Sequence, residues 1–364
     1  SRQLLSREPH SATLARLQLH QLMVQLQESY PPGGPETKPP RIRPMIRPDL
    51  AAMPAYVPGK RQPDALKLSS NEVATLPLTS AAEAMAEAAA GANRYPDMFS
   101  TDLREALAAH LDLTPEQVTV GCGSSALCQQ LVQITAGPGD EVLFAWRSFE
   151  AYPIFAQVVG ATPVAVPLLD DGRHDLPRMA EHITDRTKLI FLCNPNNPSG
   201  AVITQAEFDE FMARVPADVV VGLDEAYFEY NRAGDTVVGT EAVARHPNVV
   251  GLRTFSKAYG LAGVRVGYAF GSAELIAALN KVTIPFAVNS VAQAGALASL
   301  NSADELLERT EETVVQRDRV ADALGARRSQ ANFIWLPGVD ADDVAARLAA
   351  QGVLVRAFPE GVRI

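Results

Sequence analysis

"NVVGLRTFSKAYGLAGVRVGY", Asn248 to Tyr268, is a short β-branched run, then a loop of hydroxyls, glycines and aromatics, then a second run that Arg265 opens. One lysine, Lys257, stands just past the first run, with Thr254 and Ser256 before it. Open parallel sheets bind their ligands beyond the carboxyl ends of their strands, and Lys257 occupies such a place. A solvent-facing lysine is the plainer reading. What the neighbouring strand ends carry decides between the two.

Upstream of this stretch, "LTPEQVTVGCG" leads through a capped turn into a strand at Val118–Val120. "GPGDEVLFAW", "TPVAVPL", "TKLIFLC" and "DVVVGLD" are further apolar, β-branched runs, and helical stretches such as "SSALCQQLVQIT" and "TQAEFDEFMARV" separate several of them. Buried strands alternating with helices predict an α/β fold, a mostly parallel sheet covered on both faces. Downstream, residues 303–326 predict a long helix, followed by strand, helix and strand to "GVRI", the pattern of a smaller α+β lobe.

Each strand end then adds a chemical group. "GCGSSA" matches G-x-G-x-x-A at Gly121, Gly123 and Ala126, but the next strand, ending in "LFAW", carries no carboxylate for a ribose, so a dinucleotide site fails. What survives is a glycine turn that presents the amides of Gly123, Ser124 and Ser125 at a helix N-terminus, either a phosphate cradle or a simple turn. "NPNNPSG" fixes an irregular turn with outward-facing Asn amides. Asp224 ends its strand as a carboxylate or as a helix N-cap. Together, a phosphate cradle, an Asn amide, a carboxylate and a lysine meet at one edge of one sheet. Pyridoxal phosphate needs that set: a lysine for its aldehyde, an acid for its ring nitrogen, and N–H donors for its phosphate.

"SNE", "NRYP", "NPNNPSG", "DEAYFEY" and "RTFSKAYGLAGVRVGY" resemble the histidinol-phosphate and aromatic amino acid aminotransferases, fold type I of the pyridoxal-phosphate enzymes. The likeness runs from about Met45 to Ile364. "GCGSSALCQQLVQ" and "WRSFEAYP" look more like the aromatic enzymes. Ser125 and Ala126 stand where typical histidinol-phosphate enzymes carry an acidic pair. The resemblance implies a seven-stranded, mostly parallel large-domain sheet plus a smaller α+β domain. It divides the chain into an appendage at 1–44, expected to be disordered, an N-terminal arm of the small domain at 45–75, a large cofactor-binding domain at 76–285, and a small C-terminal domain at 286–364. The family's last helix is expected to be missing after "GVRI".

By the same resemblance Lys257 is the Schiff-base lysine, Asp224 the partner of the pyridine nitrogen, and Tyr227 and Asn197 the partners of the ring oxygen. Phe149 takes the place of the stacking aromatic residue. Gly123, Ser124, Ser125, Thr254, Ser256 and Arg265 surround the phosphate, and Tyr95 reaches the phosphate of a neighbouring subunit, implying a homodimer. Arg356 and Arg363 match the substrate-anion arginines, with Arg363 the carboxylate clamp, while Tyr56 and Asn71 close over substrate. Tyr56, Phe149 and Phe286 are candidates for an aromatic side-chain pocket or, equally, for the core. The implied reaction moves an amino group between an aromatic amino acid and a 2-oxo acid such as 2-oxoglutarate by a ping-pong route. Histidinol phosphate is the alternative substrate, a pyridoxal-phosphate lyase the alternative chemistry, and a DNA-binding regulator the non-enzymatic rival.

The composition agrees. The 364 residues are 47% hydrophobic with a net charge of -10, which argues against a general nucleic-acid surface and leaves room for a local anion pocket. No run approaches the roughly 20 apolar residues of a membrane span. The three cysteines form no C-x-x-C pair, which argues against zinc and suits a reducing cytoplasm. Cys128 and Cys193, in apolar runs, read as packed core thiols. Residues 11–30 could form an amphipathic helix before "PPGGPETKPPRIRP" ends regular structure.

Overall fold

The computed structural model describes residues 18–25, 29, 47–53, 55–59 and 62–364. By internal contacts the chain divides at residues 51 and 52. In the first unit, residues 18–25 are helical with exposed side chains, and most of the expected appendage, 1–44, lies outside the described residues.

The second unit is built on a seven-stranded sheet ordered β2-β8-β7-β6-β5-β3-β4. Its strands are β2 (Val118–Gly121), β3 (Glu141–Trp146), β4 (Thr162–Pro167), β5 (Thr187–Cys193), β6 (Val220–Asp224), β7 (Val249–Thr254) and β8 (Gly267–Gly271). The run from β4 to β7 is parallel, and β8 lies antiparallel between β7 and β2. This is the predicted α/β sheet.

The apolar runs are uninterrupted because both faces are covered. Side chains alternate across a strand, so along β5 Leu189, Phe191 and Cys193 enter one core while Ile190 and Leu192 enter the other. Val142 and Phe144 against Leu143 and Ala145 repeat the division on β3. β4 carries Pro163 and Pro167 and lies at the edge, where missing N–H donors cost no ladder bond.

Helix boundaries follow local capping. The stretch read from Thr204 onward forms the helix Gln205–Met212. Thr204 Oγ1 accepts from the Glu207 amide at 3.2 Å, and Glu207 Oε2 accepts from the Thr204 amide at 2.9 Å, a capping box. The long tail helix is Ala303–Leu324, closed by Gly325 at φ +61°.

Three further pieces complete the unit. β9 (Trp335–Pro337), β11 (Arg356–Phe358) and β12 (Gly361–Arg363) form an antiparallel sheet ordered β11-β12-β9, with the helix Ala341–Ala350 between β9 and β11. β1 (Leu66–Lys67) pairs in parallel with β10 (Val353–Leu354), joining the two ends of the unit. Arg265 does not open a strand as expected. It sits at φ +64°, two residues before β8 begins, and this left-handed turn folds its side chain back toward the β7 loop. Among the described residues no helix is long and apolar enough to cross a membrane, and no group of His, Cys, Asp and Glu could hold a metal ion.

Candidate active site

The carboxyl ends of β3, β5, β6 and β7, the Gly121 end of β2 and the loop entering β8 all open on one edge of the sheet. Gly121 and Thr254 both pair with Gly267, so the glycine turn, the lysine loop and the Arg265 turn meet there. A Cβ on Gly267 would stand 2.4 Å from the Ser124 amide nitrogen, so only glycine lets the backbones come this close.

Gly123, at φ +79°, feeds the helix Ser124–Thr135, whose first N–H groups have no partner within the helix. A Cβ on Gly123 would lie 2.3 Å from Arg265 Nη2, so the guanidinium rests over the glycine turn. Arg265 Nη1 donates to Ser256 Oγ at 3.3 Å and to the Ala262 carbonyl at 2.9 Å. Thr254 Oγ1 donates to Ser256 Oγ at 3.0 Å. Amides, hydroxyls and one guanidinium around a single spot make an anion site.

A cavity of about 240 Å³ extends from this cradle. Its wall includes Lys257, Asp224, Tyr227, Asn197 and Phe149, together with Tyr56, Asn71, Arg356 and Arg363. Of the sixteen expected site residues fourteen line this cavity, and Gly123 sits in the turn beside Arg265. Tyr95, expected at the site of a neighbouring subunit, lies outside this cavity. It is 82% exposed, stacks on Phe286 at 4.6 Å between ring centroids, and neither ring lines this cavity. Phe286, read from the sequence as either a pocket wall or a core residue, instead stacks on Tyr95 and is partly exposed. Of the "NPNNPSG" amides only Asn197 faces the cavity. Asn194 and Asn196 are buried and hold the turn, Asn194 Nδ2 donating to the Val237 carbonyl at 3.1 Å and Asn196 Nδ2 to Ser199 Oγ at 2.9 Å.

Burial governs the electrostatics. It pushes the Asp224 carboxyl up to about 6, against Tyr152 Oη donating at 2.7 Å and the Ala226 amide at 3.2 Å. Lys257 is brought down to about 8, first by burial and then by the nearby cation of Arg363; its Nζ donates to the Ser70 carbonyl at 3.1 Å. Burial raises the Tyr227 phenol, whose oxygen accepts from Asn71 Nδ2 at 2.8 Å. Arg363 donates to Asn197 Oδ1 at 2.6 Å and to the Ser69 carbonyl at 2.8 Å. Arg356 donates to Glu150 Oε2 at 2.8 Å.

Tyr152, Ser69, Ser70 and Glu150 were not singled out from sequence. Tyr152 and Glu150 lie inside "WRSFEAYP" and Ser70 opens "SNE", which was the available signal for all three. Cys193 is buried in the core as expected and also reaches the cavity floor.

The residues fit pyridoxal phosphate. The anion cradle suits its phosphate, Asp224 and Lys257 suit its ring nitrogen and its aldehyde, and three buried wall atoms, Ser69 Oγ, Asn71 Oδ1 and Arg363 Nε, have no partner among the described residues.

Comparison with known proteins agrees with this geometry. Residues 63–364 match the family Aminotransferase class I and II. Aromatic amino acid aminotransferases from Corynebacterium glutamicum and Rhodococcus jostii are 71% and 56% identical over 88% and 89% of this chain, covering 94% and 92% of their own lengths. Histidinol-phosphate aminotransferase from Sinorhizobium meliloti, solved with pyridoxal-5'-phosphate, is 28% identical, with a TM-score of 0.80 over 89% of this chain and 93% of that one. A double mutant of Thermus thermophilus aspartate aminotransferase is 26% identical, with a TM-score of 0.74 over 89% and 95%. The chain belongs to the class I and II aminotransferases and has their fold type I architecture.

Proposed function

We propose that this aminotransferase moves the amino group of an aromatic amino acid to a 2-oxo acid such as 2-oxoglutarate, in the two half-reactions of a ping-pong cycle. The observation that carries the reading is the buried Lys257 amine in one cavity with the Asp224 carboxylate and the glycine-turn anion cradle. The names of the relatives at 71% and 56% identity support the aromatic substrate.

In this reading Gly123, Ser124, Ser125, Thr254, Ser256 and Arg265 hold the cofactor's phosphate. Asn197 and Tyr227 hold its ring oxygen, Phe149 packs on its ring, and Asp224 keeps its ring nitrogen protonated. When bound, pyridoxal phosphate supplies an aldehyde for the amine and a ring that accepts the electron pair left when the substrate Cα loses its proton. Lys257 is the general base that takes that proton and the acid that returns it. A pKa near 8 suits both directions at neutral pH. Arg363 binds the substrate carboxylate, Arg356 lies at the side-chain end, and Tyr56 and Asn71 shield the site from water.

Residues 76–285 form the large domain in this reading, while 45–75 and 286–364 make up the small one, a division that the pairing of β1 with β10 supports. The chain acts as a homodimer in which Tyr95 enters the partner's site. The test is turnover of purified protein with pyridoxal phosphate and 2-oxoglutarate, offered phenylalanine and histidinol phosphate side by side. Preference for phenylalanine is expected; preference for histidinol phosphate would reverse the substrate assignment.

A further inference from the structure

The antiparallel pairing of β11 with β12 sets Arg356 directly opposite Arg363, and both side chains line the same cavity. Like charges in that relation repel, and their surroundings make the two cations different. Among the described residues Arg363 hydrogen-bonds to neutral oxygens, Asn197 Oδ1 and the Ser69 carbonyl, its guanidinium lies over the Phe333 and Phe358 rings, and its buried Nε has no partner. Arg356 donates from Nη2 to the Glu150 carboxylate at 2.8 Å and to the Val57 carbonyl at 2.7 Å. Glu150 also lines the cavity, next to Phe149. One cation thus keeps its charge for a ligand anion and the other is already neutralised.

We propose that Glu150 is a specificity-determining residue: by neutralising Arg356 it sets the cavity to take a donor with one anionic group and an uncharged side chain. The inference rests on the aromatic reading above and names the residue that produces it. A monocarboxylate donor occupies Arg363 and leaves the Arg356–Glu150 pair intact beside its side chain. A donor with a second carboxylate must displace Glu150 from Arg356 and then lie beside the displaced carboxylate. At a few ångströms, in surroundings less polar than water, that repulsion is strong enough to set a preference. An acceptor with two carboxylates meets the same opposition, so its KM moves with that of the dicarboxylate donor.

The test uses the pyridoxal-phosphate-loaded enzyme and follows the first half-reaction by visible absorbance, with phenylalanine and with glutamate. Glu150→Gln is expected to lower KM for glutamate roughly tenfold and to raise KM for phenylalanine severalfold, because Arg356 is then left unpaired beside an apolar group. The kcat values should change little. An unchanged ratio of the two KM values overturns the proposal. Glu150→Asp keeps the charge and should stay near the wild-type ratio; a shift like that of Glu150→Gln would overturn the electrostatic basis. Should Glu150→Gln fail to fold, the double replacement Glu150→Gln with Arg356→Met removes both charges together. It must keep the preference for phenylalanine, and a gain of glutamate activity there overturns the proposal. Wild-type enzyme that prefers histidinol phosphate refutes the aromatic reading before any variant is made, and this inference with it; wild-type enzyme with a lower KM for glutamate than for phenylalanine overturns this inference alone.

Discussion

Lys257 and Asp224 line one cavity, with protonation equilibria moved in opposite directions by the same cause, burial. For the lysine the direction predicts reactivity. An amine attacks an aldehyde only when neutral, and the proton leaves Lys257 near pH 8, below the range of a solvated lysine. The rate at which pyridoxal phosphate reacts with cofactor-free protein should therefore rise with pH through about 8 and then level. Stopped-flow absorbance would show this, and a rate still climbing past the usual lysine range would contradict the burial. For the carboxylate the sensitive partner is Tyr152. Its hydroxyl opposes the upward push of burial, while its ring stacks on Phe191 at 4.3 Å between centroids. Tyr152→Phe keeps the stack and deletes a hydrogen bond to a charged group, worth about 1.5–3 kcal/mol. Asp224 should then ionise at higher pH, kcat at neutral pH should fall by about tenfold, and the acid limb of the kcat–pH profile should move upward. An unmoved acid limb would show that Tyr152 does not control the carboxylate.

The glycine turn between β2 and the helix Ser124–Thr135 is the element on which the anion cradle depends. Gly123 has φ +79° and ψ 156°, a region essentially closed to side chains, and strain there costs about 1–3 kcal/mol. A methyl group at this position would also displace the Arg265 guanidinium. Gly123→Ala is therefore expected to weaken pyridoxal phosphate binding at least tenfold while circular dichroism stays near wild type; equal affinity would remove Arg265 and the turn from the phosphate site. Elements of this kind were legible because each is local: a β-branched run, the glycine or proline that ends it, and the polar residue next in line. Gly123, Asp224 and Lys257 were found that way. Ser69 and Ser70 were not, because they meet Arg363 and Lys257 across a sequence separation that no local pattern encodes. The Glu150–Arg356 pair has the same origin, joining the turn after β3 to a strand near the chain's end. Arg265 was misread as a strand residue because "VRVGY" alternates like one, whereas its backbone is left-handed.

At the scale of the molecule an acidic chain, with net charge -10, lines one cavity with Lys257, Arg265, Arg356 and Arg363 against Glu72, Glu150 and Asp224, so the balance there is shifted toward cations relative to the chain as a whole. The cavity also leaves Tyr95 out. Tyr95 and Phe286 stack with both rings exposed, and the exposed Phe99 and Ile284, close to them in sequence, line one surface recess; exposed apolar side chains gathered in this way mark association surfaces. A two-fold dimer would let each Tyr95 enter the other site, and subunit mixing tests this. Lys257→Ala lacks the base and Tyr95→Ala lacks the phosphate partner, so each homodimer should be inactive or nearly so. In a hybrid of the two, one site combines Lys257 of one subunit with Tyr95 of the other and is intact, while the second carries both lesions. Random exchange at equal amounts makes half the dimers hybrids, so activity should recover to about one quarter of wild type. Mixing that restores nothing, although sedimentation shows that subunits have exchanged, would place Tyr95 outside the partner's site.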